Sequence, residues 1–205
     1  MESGILNKIE IEGFLKSREL VVEPILDYED QIKSASIDLR LDHFFGEFHT
    51  AKIPNIDPAT ISEDYSQFLI FKELESFHDC YYLQPKNFVL GQTLEFISLP
   101  LNIVGFLDGR SSMARQGLMI HATAGFIDPG FKGHLVFELL NAGEMPIKLY
   151  PLMRLAKISF HYTNKTEEYS GQYQLQVRIR PPKSDKDVRK LKEIISNQKL
   201  FDLSL

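Results

Sequence analysis

The chain has 205 residues, 43% of them hydrophobic, enough for one packed core and within the size at which a single domain is usual. Lys and Arg total 23 against 28 Asp and Glu, a formal net charge of −5, which argues against binding a nucleic acid polymer or an anionic membrane but permits a local basic pocket. The single cysteine, Cys80, excludes an internal disulfide framework and reads as a small core residue; with no basic-then-apolar leader and no run of 18 apolar residues, a soluble cytoplasmic protein is expected.

In residues 5–20, Ile5, Leu6, Ile9, Ile11, Phe14, Leu15 and Leu20 recur at roughly helical spacing, which predicts a short amphipathic helix with Gly13 as a possible interruption. A brief strand through Val21 and Val22 ends at Pro24. Next, Ser34-Ala35-Ser36-Ile37-Asp38-Leu39-Arg40-Leu41 alternates Ile37, Leu39 and Leu41 with polar residues, the pattern of a half-buried strand. Residues 46–66, with two prolines and little periodicity, read as a surface loop. From Cys80 onward the pattern is all-β: Tyr81-Tyr82-Leu83, Phe88-Val89-Leu90, Thr93-Leu94-Glu95-Phe96-Ile97 and Ile103-Val104-Gly105-Phe106-Leu107, separated by proline-bearing turns. Strands at this spacing predict a mainly β sandwich or barrel.

The densest chemistry follows in Gly109-Arg110-Ser111-Ser112-Met113-Ala114-Arg115, then Thr123-Ala124-Gly125-Phe126-Ile127-Asp128-Pro129-Gly130 and Leu135-Val136-Phe137-Glu138-Leu139. Guanidinium forks and hydroxyls match phosphate oxygens, so Arg110, Ser111, Ser112 and Arg115 are anion-binding equipment. Asp128 sits in a Gly/Pro turn whose backbone can approach a ligand closely. Glu138 interrupts an apolar run, and a carboxylate buried there must find a partner or take up a proton. A general base and acid is one reading; a structural ion pair with Arg110 or Arg115 is the other. Beyond it, residues 147–151 and 155–162 read as strands, residues 167–186 as a polar stretch, and Val188, Leu191, Ile194, Ile195 and Leu200 as a helix, with the charged run 183–193 on its solvated face. His121 and His134 are expected in hydrogen-bonded structural places. A Ser112, His121, Asp128 triad is discounted because the Gly-x-Ser-x-Gly elbow is missing.

With these motifs, from Ser36-Ile37-Asp38-Leu39-Arg40 through Leu107-Asp108-Gly109-Arg110-Ser111-Ser112 to Glu138-Leu139, the chain resembles the dCTP deaminases of the dUTPase-like superfamily. It is most similar to the bifunctional dCTP deaminase/dUTPase branch. The resemblance implies a single domain: an N-terminal helix at 1–20, a distorted β-barrel at 21–165, and a lid segment with a C-terminal helix at 166–205. It also implies a homotrimer with active sites between subunits and a magnesium-bound nucleoside triphosphate as substrate. Carried over, Arg110, Ser111 and Ser112 would hold phosphates, and Ser111 and Arg115 would lie near the cytosine amino group and the attacking water. Glu138 would be general base and acid; Asp128 would hold the 3′-hydroxyl and help activate a second water.

Ala124, Gly125 and Phe126 would line the substrate pocket, with Tyr173 and Gln176 in the lid. Gly125 fits the bifunctional pattern, where monofunctional members commonly have histidine, although a turn needing positive φ would also explain it. Zinc deaminases hold their metal with a His/Cys/Cys set; with Cys80 alone, deamination here is expected to proceed without zinc. In Gln172-Tyr173-Gln174-Leu175-Gln176-Val177 the family's lid lysine and closing glycine are replaced, and Leu152, Ala156 and Lys157 also depart from the pattern. Two alternatives follow: a dUTP diphosphatase without deaminase activity, and a nucleotide-binding paralogue without catalysis.

Overall fold

A computed structural model describes residues 4–48 and 69–180, together with Val188, Lys190 and Glu193. The loop expected at 46–66 and the C-terminal helix lie largely outside the described residues; the last three named are helical. The chain divides into two compact units, Met1–Glu47 with Phe71–Ile179, and Phe48–Ile70 with Arg180–Leu205. Every residue proposed from the sequence for the site belongs to the first.

The elements are α1 (Lys8–Ser17), β1 (Val21–Glu23), α2 (Tyr28–Gln31), β2 (Ile37–Phe48), β3 (Leu69–Glu73), β4 (Tyr81–Leu83), β5 (Phe88–Ser98), β6 (Ile103–Gly109), α3 (Ser111–Ala114), β7 (Leu118–Met119), β8 (Phe126–Ile127), β9 (Lys132–Asn141), β10 (Ile147–Leu149) and β11 (Arg154–Tyr162). The protein is mainly β, as the strand spacing implied. One curled sheet runs β7-β9-β5-β2-β11-β6-β8, with β1 on β5 and β3 on β2, while β10 and β4 form a separate ribbon. The strand pairings are antiparallel, and neighbours in the sheet are not consecutive in the sequence, so the sheet closes through long-range pairing rather than through hairpins.

Helix α1 begins where Asn7 can cap it: the Asn7 side chain accepts from the Glu10 amide at 3.1 Å and Glu10 accepts from the Asn7 amide at 2.8 Å. It stops at Arg18, whose φ of 60° ends the helical path. Gly13 lies within it and does not interrupt it. The predicted half-buried strand is longer and more enclosed than its alternation suggests. It extends to Phe48, and Asp38 is buried along with Ile37, Leu39 and Leu41 because β11 and β5 flank β2. Cys80 is half-buried, so it is not the core residue expected.

The core of the first unit joins the N-terminal helix to the strands. Phe45, Phe137 and Phe160 are fully buried with Leu6, Ile11, Leu39 and Ile158, and the ring of Phe45 stacks on Tyr81 at 4.6 Å. Strand β9 explains how the site is displayed: Gly133, Leu135, Phe137 and Leu139 point into the core, and His134, Val136, Glu138 and Leu140 stand on the half-covered face. No helix among the described residues is long and apolar enough to cross a membrane.

Candidate active site

Strand β6 delivers Arg110 to the start of α3. The Arg110 amide donates to the Leu155 carbonyl at 3.0 Å, which fastens the turn to the beginning of β11. Ser111, Ser112 and Arg115 then stand exposed on a four-residue helix, and Arg115 closes it by donating to the Ser111 carbonyl at 3.0 Å. These groups are offered to solvent on one chain, as an anion site requires.

Glu138 is half-buried rather than enclosed, because the face of β9 that carries it is only partly covered. Its Oε2 accepts from the Ala122 amide at 2.8 Å, and its own amide donates to the Ile120 carbonyl at 2.9 Å. The loop after β7 is thus strapped to the carboxylate. Glu138 makes no ion pair with Arg110 or Arg115 among the described residues, which removes the structural pair that the sequence left open; Arg110 turns instead to Asp38 at 3.5 Å.

The same loop carries Ala124 and Gly125. The Gly125 carbonyl accepts from Leu107 at 2.8 Å, and a Cβ at Gly125 would lie 3.0 Å from the Leu107 carbonyl oxygen and 3.3 Å from the His121 ring. Gly125 is not among the glycines with positive φ, so no left-handed turn requires glycine there, although a Cβ would sit tightly against the Leu107 carbonyl. His134 occupies the bonded place expected of it, Nδ1 to the Thr93 carbonyl at 2.9 Å. His121 does not: its buried Nδ1 has no hydrogen-bond partner among the described residues.

Phe126 is 53% exposed and packs edge-on against Phe106 at 5.2 Å, and Asp128 stands exposed just beyond it. No hydrogen bond joins Ser112, His121 and Asp128 among the described residues, in keeping with the missing elbow. Tyr173 packs half-buried on the core. Gln176 is 2% exposed, its carbonyl accepts from the His134 amide at 2.8 Å, and its side chain donates to the His134 carbonyl at 3.3 Å. The residues expected in a closing lid therefore lie along the start of β9 in this conformation.

A model of the dCTP deaminase-like family matches residues 5–163. The chain belongs to that family. Among relatives of the dCTP deaminase-like chain, the protein of Dictyoglomus turgidum named dCTP deaminase, dUMP-forming, is 41% identical over 158 residues, 77% of this chain and 79% of its own length. A protein of the same name from Corynebacterium kroppenstedtii is 40% identical over 164 residues, 80% of this chain and 84% of its own. A protein of Haloarcula marismortui named dCTP deaminase is 41% identical over 158 residues, 76% and 79% of the two chains. The solved structure of a 2′-deoxycytidine 5′-triphosphate deaminase from Agrobacterium tumefaciens shares the fold, with a TM-score of 0.62 at 23% identity over 80% of this chain and 49% of that one.

Within the match to the dCTP deaminase-like family fall Arg110, Ser111, Ser112, Arg115, Asp128 and Glu138; Tyr173 and Gln176 lie past its end. Sequence reading missed three charged groups, two of them beside Arg110. Asp38 and Arg154 converge on Arg110, and Glu95, 0% exposed on β5, accepts from Gln31 Nε2 at 2.7 Å and from the Arg40 amide at 2.9 Å. Burial pushes the Glu95 carboxyl up to about 7, against the pull of the Arg40 amide. An acidic residue inside each of two strand patterns was the available signal; alternation placed Asp38 among the polar positions of its strand, and no face was assigned to Glu95. Among the described residues no group of three His, Cys, Asp or Glu side chains converges as a metal site.

Proposed function

We propose that this chain deaminates dCTP hydrolytically, without zinc, and carries the dUTP formed on to dUMP and pyrophosphate. The observation that carries the reading is the half-buried Glu138 carboxylate, whose Oε2 is held by the Ala122 amide and which forms no ion pair among the described residues. Ala122 fixes Oε2, so Oε1 takes the proton from a water attacking C4 of the cytosine ring. The carboxyl passes that proton to N3, then takes the proton of the new C4 hydroxyl and delivers it to the exocyclic nitrogen, so that the C4–N bond breaks and ammonia leaves as the carbonyl forms. Water is consumed and the carboxylate is restored.

Magnesium arrives as part of the substrate, chelated by the triphosphate. Arg110, Ser111 and Ser112 take the phosphates, with Arg115 and Ser111 at the amino group. For the second step Asp128 activates water at the α-phosphate, where the small Gly125 leaves room that a histidine would fill. The names of the bacterial relatives at about 40% identity, dUMP-forming, support this second step. The exposed Arg115, Phe126 and Asp128 fit an active site completed by a second copy in a cytoplasmic homotrimer. Sedimentation at a monomer mass would remove the intersubunit site.

The deciding experiment incubates the protein with dCTP and magnesium under zinc chelation and resolves the nucleotides by anion exchange. Direct appearance of dUMP with pyrophosphate is expected. Accumulation of dUTP would limit the enzyme to deamination. Cleavage of dUTP with dCTP untouched would make it a diphosphatase, and no turnover of either would make it a nucleotide-binding paralogue.

A further inference from the structure

Asp38 has no part in the roles just assigned, yet its surroundings are unusual. It is 4% exposed on β2, and its Oδ2 makes no hydrogen bond among the described residues. That oxygen lies 3.5 Å from Nε of Arg110 and 3.5 Å from Nη1 of Arg154. Both separations are longer than a good N–H···O bond, so the carboxylate acts as a charge shared between two guanidinium groups rather than as the mouth of either fork.

Arg154 is held from its other side. Its Nη1 stands 2.7 Å from Oδ2 of Asp30 and donates to the Asp30 carbonyl at 2.8 Å. Arg110 Nη1 donates to the Arg154 carbonyl at 3.2 Å, and the Arg110 amide is bonded to Leu155. Two carboxylates and two guanidiniums therefore alternate from α2 through β11 and β2 to the end of β6. A buried carboxylate with one cationic partner would be stranded whenever that partner turned to an incoming anion, an expensive state. With Arg154 in place, Asp38 stays compensated while Arg110 engages a ligand.

We propose that Asp38, supported by Arg154 and Asp30, is a positioning residue that aims the Arg110 guanidinium at the polyphosphate of the nucleotide. The proposal rests on the reading of Arg110 as a phosphate ligand. It assigns the gain to binding: the charge network orders Arg110 before the nucleotide arrives and leaves the chemistry at Glu138 untouched.

A double-mutant cycle tests it, with Asp38→Asn, Arg110→Ala and the double variant measured for inorganic tripolyphosphate affinity by calorimetry and for dCTP turnover. Asp38→Asn is expected to weaken tripolyphosphate and raise KM for dCTP about tenfold, with kcat within about twofold, the size of one charge-assisted contact. The double variant should be no weaker than Arg110→Ala alone. General structural damage would not produce a KM effect that vanishes once Arg110 is gone. If Arg110→Ala alone leaves tripolyphosphate affinity unchanged, the phosphate role of Arg110 falls. If Arg110→Ala weakens binding while Asp38→Asn does nothing, or multiplies its full factor onto it, Asp38 does not act through Arg110. Tighter tripolyphosphate binding by Asp38→Asn would mean that the carboxylate merely repels anions, and would overturn the proposal too. Should Asp38→Asn fail to fold, Asp38→Glu, which keeps the charge one methylene further out, enters the same cycle under the same criteria.

Discussion

Glu138 gains its chemical usefulness from incomplete burial. A carboxylate fully enclosed among Val136, Leu140 and their neighbours would have no route for water, whereas on the half-covered face of β9 it stays partly exposed with one oxygen bonded. Glu138→Gln preserves an oxygen for the Ala122 amide, so the fold should hold and the melting temperature stay put. Loss of the proton acceptor should lower kcat for ammonia release by roughly 10²- to 10⁴-fold. Unchanged ammonia release would remove Glu138 from the reaction. Gly125 teaches a related point at the same scale. The family pattern singled it out, and the structure adds that the Leu107 carbonyl lies 3.0 Å from where a Cβ would sit, a distance set by a strand that lies apart in sequence.

At the scale of elements, β9 organises the site twice over. Its upper half presents Glu138, and its first residues bind the tail. Gln174 Oε1 accepts from the Lys132 amide at 2.8 Å, Gln174 Nε2 donates to the Gly130 carbonyl at 2.9 Å, and Leu175 donates to the Lys132 carbonyl at 2.7 Å. The sequence suggested a lid and drew attention to Tyr173 and Gln176; the side chain that anchors the segment to the turn before β9 is Gln174, between them. Gln174→Ala removes two hydrogen bonds worth about 1 kcal/mol each. Amide exchange at Lys132 should accelerate by roughly tenfold or more in hydrogen-exchange measurements, while exchange at Phe137 in the core half of the strand stays slow. Equal acceleration along β9 would show that the tail stabilises the whole strand rather than its first turn. The lid reading and this docked conformation are compatible only if the segment exchanges between the two, and the Lys132 amide reports that opening.

For the molecule as a whole, Glu95 sets a pH dependence of stability. Burial raises its carboxyl from 4.5 to about 7 in the folded chain, so the folded state holds a proton more tightly than the unfolded one. The stabilising contribution is complete below about pH 4.5 and is lost as pH rises through about 7, amounting to about 3 kcal/mol. Urea midpoints at pH 5 and pH 8 should show wild type losing this increment relative to Glu95→Gln, which has no proton to release. An identical pH response in the two proteins would place the titration elsewhere. The carboxylate also joins β5 to α2 and β2, through Gln31 and the Arg40 amide, so its ionisation state acts across positions 64 and 55 residues apart in sequence. Local pattern determined much of this protein by itself: the strand periodicity, the helical spacing of residues 5–20, and the arginine and serine run whose residue types suit phosphate. It also isolated Glu138 as the acidic residue that an apolar strand could not ignore. Tertiary structure alone decided which carboxylates are buried, because alternation along one strand reports its two faces but not the neighbours that flank it. For that reason Asp38 and Glu95, polar positions in β-patterned stretches, are enclosed by β2, β5 and β11, while Glu138 in a continuous apolar run remains open. The pairing of Arg110 with Asp38 and Arg154 was likewise invisible in sequence, since it joins residues 72 and 44 positions apart that only the sheet order brings within 3.5 Å of one another's charge or hydrogen bond.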